Sequence, residues 1–103
     1  MTYVTDIVDG LIRILSTPID VTLINLGSDE DIRLVAIAQK ILELMSSSSR
    51  VRFEAPFAHL IDVGLPDTTR AREILEWLPL VRLEEGLEKM IAYARSHRQL
   101  IEF

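Results

Sequence analysis

The 103 residues suit one small domain, and a hydrophobic share of 49% excludes a disordered tail. The net charge of −5, with no basic tract, argues against nucleic acid or an anionic membrane surface as a main partner, because both need clustered Lys and Arg. The absence of cysteine excludes disulfides, thiol nucleophiles and cysteine-ligated metals, and fits a reducing cytoplasm. No run of apolar residues reaches the ~18–20 a membrane span needs, and the acidic start around Asp6 and Asp9 does not read as a signal peptide.

Thr5 is placed to cap a first helix, with Asp6 in its first turn against the positive end of the dipole. Ile7, Leu11, Ile14 and Leu15 fall on one helical face, which Val8 and Ile12 widen, so this face is expected to be buried. Thr17-Pro18 should end the helix near Ser16. Residues 21–26, short, β-branched and apolar, read as a buried strand. A second helix is expected over about 33–45, after Gly27-Ser28-Asp29 and the acidic run Asp29-Glu30-Asp31, with Ser46 to Ser49 as a polar break. Val51-Arg52-Phe53-Glu54 alternates apolar and charged, as a half-exposed strand does.

Residues 55–66 have no clear period and contain Pro56, Gly64 and Pro66, so they read as a loop. Thr69 is a candidate cap for a short helix over 70–75, stopped by Trp77 and Pro79. The last helix starts near Leu83 and is expected to run to about Leu100, with Leu87, Met90, Ile91, Ala94 and Ile101 as its stripe. Gly86 inside it costs roughly 1 kcal/mol against alanine, which suggests close packing of another element. The expectation is one mixed α/β domain over 1–103, richer in helix. It has four helices and two or three short strands, in the order helix-strand-helix-strand-helix-helix.

The glycines stand at 10, 27, 64 and 86, too far apart for a loop that cradles a pyrophosphate. The sequence therefore predicts no cofactor-binding residues in this chain. His59 and His97 are far from the i, i+3 or i, i+4 spacing of a helix-borne metal pair, so no metal site is predicted. His97 reads as a helix-flank residue, and His59, in the irregular loop, is the better binding candidate. The acidic runs at 29–31 and 84–85 read as solvated complements to helix dipoles. Trp77 reads as a core plug beside a helix end.

Several motifs recur in the order of a known family. Tyr3-Val4-Thr5-Asp6-Ile7-Val8-Asp9-Gly10-Leu11 resembles a "YVxDlvdGl" segment, Ile24-Asn25-Leu26-Gly27 an "xNLG" strand end, and Pro66-Asp67-Thr68-Thr69-Arg70-Ala71 a "PDiskA" turn. Ile74-Leu75-Glu76-Trp77-Leu78-Pro79 resembles "lLGWxP", and Leu83-Glu84-Glu85-Gly86-Leu87 matches "LeeGL". All five resemble the carboxyl-terminal, substrate-side lobe of the NAD-dependent epimerase/dehydratases, the extended short-chain dehydrogenase/reductases. The pattern is closest to the UDP-glucuronate decarboxylases.

The resemblance implies a nucleotide-sugar lobe without the Rossmann part that holds NAD. The catalytic Tyr-x-x-x-Lys of that family is missing too: Ile7 follows Tyr3 at the fourth place, and His97 follows Tyr93. No catalytic residue is therefore assigned, and the chain is expected to be inactive alone. Where the family carries a basic run before its "PD", this chain has Ile61-Asp62-Val63-Gly64-Leu65, whose aspartate would repel a diphosphate. Tyr3 and His59 are left as the candidate contacts to a nucleotide sugar. An isolated lobe should also uncover apolar surface, so the expected partner is a second copy or a Rossmann-domain protein. The first and last helices are the expected contacts. The alternative is a stand-alone interaction module that keeps the lobe's fold.

Overall fold

The computed structural model describes residues 1–21, 23–59 and 64–100. Its elements are α1 (Val4–Ser16), α2 (Leu34–Met45), α3 (Thr69–Leu75) and α4 (Leu83–Ser96), followed by a single 3-10 turn over Arg98–Leu100. They group into two compact units, one from Met1–Asp31 with Leu65–Leu83, the other from Ile32–Gly64 with Glu84–Phe103.

No strand forms among the described residues, so the expected α/β class is corrected to all-α. Neither expected strand pairs with another backbone among the described residues. A strand exists only when another backbone pairs with it. In the first unit, residues 21–26 instead find side-chain partners. Arg70 Nη1 donates to the Leu23 carbonyl at 3.1 Å, and Asn25 Nδ2 donates to the Asp67 carbonyl at 3.1 Å. Ile24 and Leu26 turn towards the core while Leu23 and Asn25 face out, so the segment is buried on one side and not on both. Thr22 lies outside the described residues. In the second unit, residues 51–57 are exposed throughout.

The core of the first unit is Ala71, Leu75 and Trp77, with Ile14, Ile19, Ile24, Leu26 and Ile74 packed around it. Trp77 is only 1% exposed, as a core plug should be. Helix α1 packs on α3 through a face that its hydrophobic pattern does not announce. Its buried residues are Asp6 and Gly10, while Leu11 and Leu15 point outward and Ile7 and Ile14 are half-buried. The expected face is thus corrected: glycine at 10 lets the indole and Leu26 approach the α1 backbone. The apolar stripe is left on the far side.

Helix ends follow local chemistry. Tyr3, not Thr5, is the N-cap of α1, and Thr17 beside Pro18 is extended, which stops the helix at Ser16. Helix α2 ends on Ser46 in the left-handed region (φ 50°), with the N–H of Ser46 on the Glu43 carbonyl and that of Ser47 on the Leu42 carbonyl, both 3.0 Å. Helix α3 ends in the same way on Glu76 (φ 50°), with the Trp77 N–H on the Ala71 carbonyl at 3.1 Å.

In the second unit the buried residues are Ile37 on α2 and Gly86, Leu87 and Ile91 on α4. Burial of Gly86 agrees with its expected close packing. Lys40 of α2 bridges to Glu84 of α4 at 2.9 Å and to Glu43 at 3.6 Å. Helix α4 stops at Ser96, short of the expected Leu100, where the Ser96 hydroxyl turns back on the Ala92 and Tyr93 carbonyls. Ile101, expected in its stripe, lies outside the described residues. No helix of the described chain is long and apolar enough to cross a membrane.

Candidate functional site

Four of the five motifs meet inside the first unit, and their contacts show what each is for. At one corner, Thr2 Oγ1 accepts the N–H of Ser28 at 2.8 Å. A Cβ on the neighbouring Gly27 would lie 3.0 Å from Pro66 Cγ. Here the start of α1, the "NLG" turn and the "PD" turn are in contact. Asp67 Oδ1 accepts the hydroxyl and the N–H of Thr69 at 2.6 and 3.0 Å, which organises the entry to α3. These two bonds hold the Asp67 carboxyl below its ordinary value. Thr68, not Thr69, is the N-cap.

At the other end, Asp6 and Trp77 are joined. The indole N–H donates to the Asp6 carbonyl at 2.8 Å, and the Asp6 carboxylate accepts the N–H of Val81 at 3.0 Å. Asp6 is therefore a buried bracket between α1 and the segment after α3, a role beyond the dipole complement its position suggested. Arg13 is a second bracket. Its Nε donates to Asp9 at 2.9 Å, and its Nη1 donates to the carbonyls of Leu75 and Glu76 at 3.0 and 3.1 Å. A cation there neutralises the carbonyl end of α3. Sequence spacing gives the Asp9–Arg13 pair at i, i+4, but not the 62-residue reach to Leu75.

Tyr3 lies half-buried at the N-cap of α1, and its carbonyl receives the N–H groups of Asp6 and Ile7 at 3.1 and 3.4 Å. His59 sits exposed in a turn over residues 58–59. The two belong to different units, Tyr3 to the first and His59 to the second. The Ile61-Asp62-Val63 stretch lies outside the described residues. His97 flanks the end of α4, its ring stacked on Tyr93 with centroids 4.1 Å apart. Asp29, read as a dipole complement, pairs with Arg72 at 3.7 Å. An open polar depression of about 500 Å³ is lined by Ile19, Asp20, Val21 and Arg70. The Arg70 guanidinium already serves the Leu23 carbonyl. Among the described residues no three His, Asp or Glu side chains converge on a metal position.

No protein-family model matches the chain. Curated proteins do. UDP-glucuronic acid decarboxylase 1 of Danio rerio is 36% identical over 91 residues, spanning 88% of this chain and 22% of that protein. UDP-glucuronic acid decarboxylase 5 of Arabidopsis thaliana is 35% identical over 88 residues, 85% of this chain and 26% of that protein. UDP-N-acetyl-alpha-D-glucosaminuronate decarboxylase of Bacillus cytotoxicus is 31% identical over 102 residues, 92% of this chain and 32% of that protein. The chain is homologous to the C-terminal region of NAD-dependent epimerase/dehydratases. It spans only about a fifth to a third of the length of the decarboxylases it matches and corresponds to their C-terminal region.

The contacts give the epimerase/dehydratase-like motifs of this chain a structural role. Asp6, Gly10 and Trp77 build the core of the first unit, and Gly27, Pro66 and Asp67 build its corner. These are residues of structure.

Proposed function

We propose that the chain is the non-catalytic lobe of a nucleotide-sugar decarboxylase-like enzyme, and that it acts only together with a portion carrying the NAD site. What carries this reading is the outward face of α1. Val4, Val8, Leu11, Ile12 and Leu15 lie on one side of the helix and are all exposed, Leu15 to 87%. An amphipathic helix buries its apolar side when its partner is present. Here the polar side is buried instead, so the covering surface is supplied from outside the described chain. A contiguous apolar patch of several hundred Å² marks an interface, and the relatives' remaining length offers the material for one. Tyr3, at the N-cap of α1, is a proposed contact to the nucleotide sugar, and the cytoplasm is the proposed compartment.

The test is complementation. The chain alone should release no carbon dioxide from UDP-glucuronate with NAD present. Adding a polypeptide that carries the remaining, NAD-binding portion should restore turnover, and Leu11→Glu with Leu15→Glu should abolish that rescue. Turnover by the chain alone would overturn the reading.

The exposed Met90 and Tyr93 on α4 favour a second reading, a self-associating module that uses its first and last helices. Chemical crosslinking between α1 positions of two copies, without any enzyme portion present, would separate it from the first.

A further inference from the structure

The segment 50–57 has the sequence pattern of a strand and pairs with nothing described. Its sequence, Arg50-Val51-Arg52-Phe53-Glu54-Ala55-Pro56-Phe57, alternates strictly. Apolar residues occupy 51, 53, 55 and 57, and polar residues or proline occupy the positions between. Arg52 and Glu54 are ion-paired with each other, as neighbours on one side of an extended backbone are. Among the described residues, the backbone of 51–57 makes no hydrogen bond to another backbone group. Phe53 is 79% exposed and Phe57 84% exposed. An unpaired edge with a flat apolar side recruits another strand.

We propose that this segment pairs antiparallel with the same segment of a second copy, on a two-fold axis at Phe53. Three features of the sequence fit that register together. Arg52 then faces the second copy's Glu54, and Glu54 faces its Arg52, so both cross-strand charge pairs are attractive. Phe53 meets its own copy, and Val51 meets Ala55. Third, if Phe53 sits at a hydrogen-bonded pair, the odd-numbered residues direct their N–H and C=O groups to the partner. Pro56, which has no N–H, then falls at a non-hydrogen-bonded position, where proline is tolerated. That same phase puts Arg52 and Glu54 at the closer-spaced pairs, where opposite charges gain most. A register shifted by two residues would put Arg52 opposite itself or Pro56, and the complementarity would be lost.

The pairing is independent of the α1 face and of the enzyme reading, and its test distinguishes them. Sedimentation of the full chain over a concentration series should show a reversible dimer of twice 11.7 kDa. Arg52→Glu alone and Glu54→Arg alone each convert two attractive pairs into two repulsive ones and should weaken the dimer about tenfold. The double variant, Arg52→Glu with Glu54→Arg, should restore it. Because the chain has no cysteine, Phe53→Cys should form an interchain disulfide on mild oxidation, and Arg52→Cys, whose two copies lie off the axis, should form it far more slowly. All three positions are exposed, so far-ultraviolet circular dichroism should be unchanged. A monomer throughout the series, or a dimer that ignores the single charge reversals, would overturn the proposal. So would a double variant no tighter than the singles.

Discussion

Trp77 donates its indole N–H to the backbone carbonyl of Asp6, 71 positions earlier in the chain, at 2.8 Å. The same aspartate's carboxylate holds the N–H of Val81. One acidic residue at the start of α1 therefore fixes both sides of the segment that leaves α3. Trp77→Phe keeps most of the buried surface and removes the donor, and should cost about 1–2 kcal/mol. Trp77→Ala also opens a cavity and should cost about 3–5 kcal/mol. Urea unfolding of the two variants against wild type reads the difference.

Gly10 is the reason the indole reaches α1. A Cβ there would lie 2.7 Å from Leu26 Cδ1 and 3.1 Å from Trp77 Nε1. Leu26 can turn aside, but the indole is fixed by its hydrogen bond. Gly10→Ala gains helix propensity worth about 1 kcal/mol. The overpacking should outweigh that gain, for a net loss of about 1–2 kcal/mol. A raised melting temperature in Gly10→Ala would contradict the close approach.

Glu76 ends α3 at φ 50°, a left-handed conformation that a non-glycine residue holds at a cost of about 1 kcal/mol. The family pattern has glycine at this place in "lLGWxP". Glu76→Gly should relieve the strain and stabilise the chain by about 0.5–1 kcal/mol, after glycine's own entropic loss. The Arg13 bond to the residue-76 carbonyl is to backbone and survives the change. Thermal unfolding checks the sign.

Two ionisable groups give opposite pH dependences. The Asp67 carboxyl is lowered, first by the Thr69 hydroxyl and then by the Thr69 N–H. A depressed folded-state value contributes stability that is present above the unfolded value and lost as pH falls through the folded one. The advantage of wild type over Asp67→Asn should therefore vanish on acidification below the ordinary carboxylate range. Lys40 is raised, chiefly by its hydrogen bond to Glu84. Its contribution is present below the unfolded value and fades as pH rises through the folded one, so Lys40→Met should lose its deficit only in strong alkali. Melting temperatures across both ends of the pH scale follow each.

Helices are legible in the sequence to within a few residues because their signals are local: Thr17-Pro18 stops α1, while α3 ends at Leu75 on a left-handed Glu76 rather than at the expected Trp77 and Pro79. The strands are not, because a strand is a relationship. Residues 21–26 and 51–54 have the right composition, and the second backbone each needs is not among the described residues. The buried side of α1 was misread for a related reason. Periodicity identifies an apolar face but not whether this chain covers it, and Gly10 with Asp6 forms the seat for Trp77 on the polar side. Of the candidate site, position in the sequence points to Tyr3 and His59, and they fall in separate units. Asp6 and Arg13 went unnoticed as brackets because their partners lie 62–75 positions away.

The first unit is assembled from residues 1–31 and 65–83, with a long excursion between. During synthesis the opening helix must therefore leave the ribosome and wait, with its anchor still unmade, until Trp77 has followed. Closing so wide a loop is slow. Nascent chains stalled before residue 77 should be cut readily by protease within α1, and those stalled well beyond residue 83 should resist.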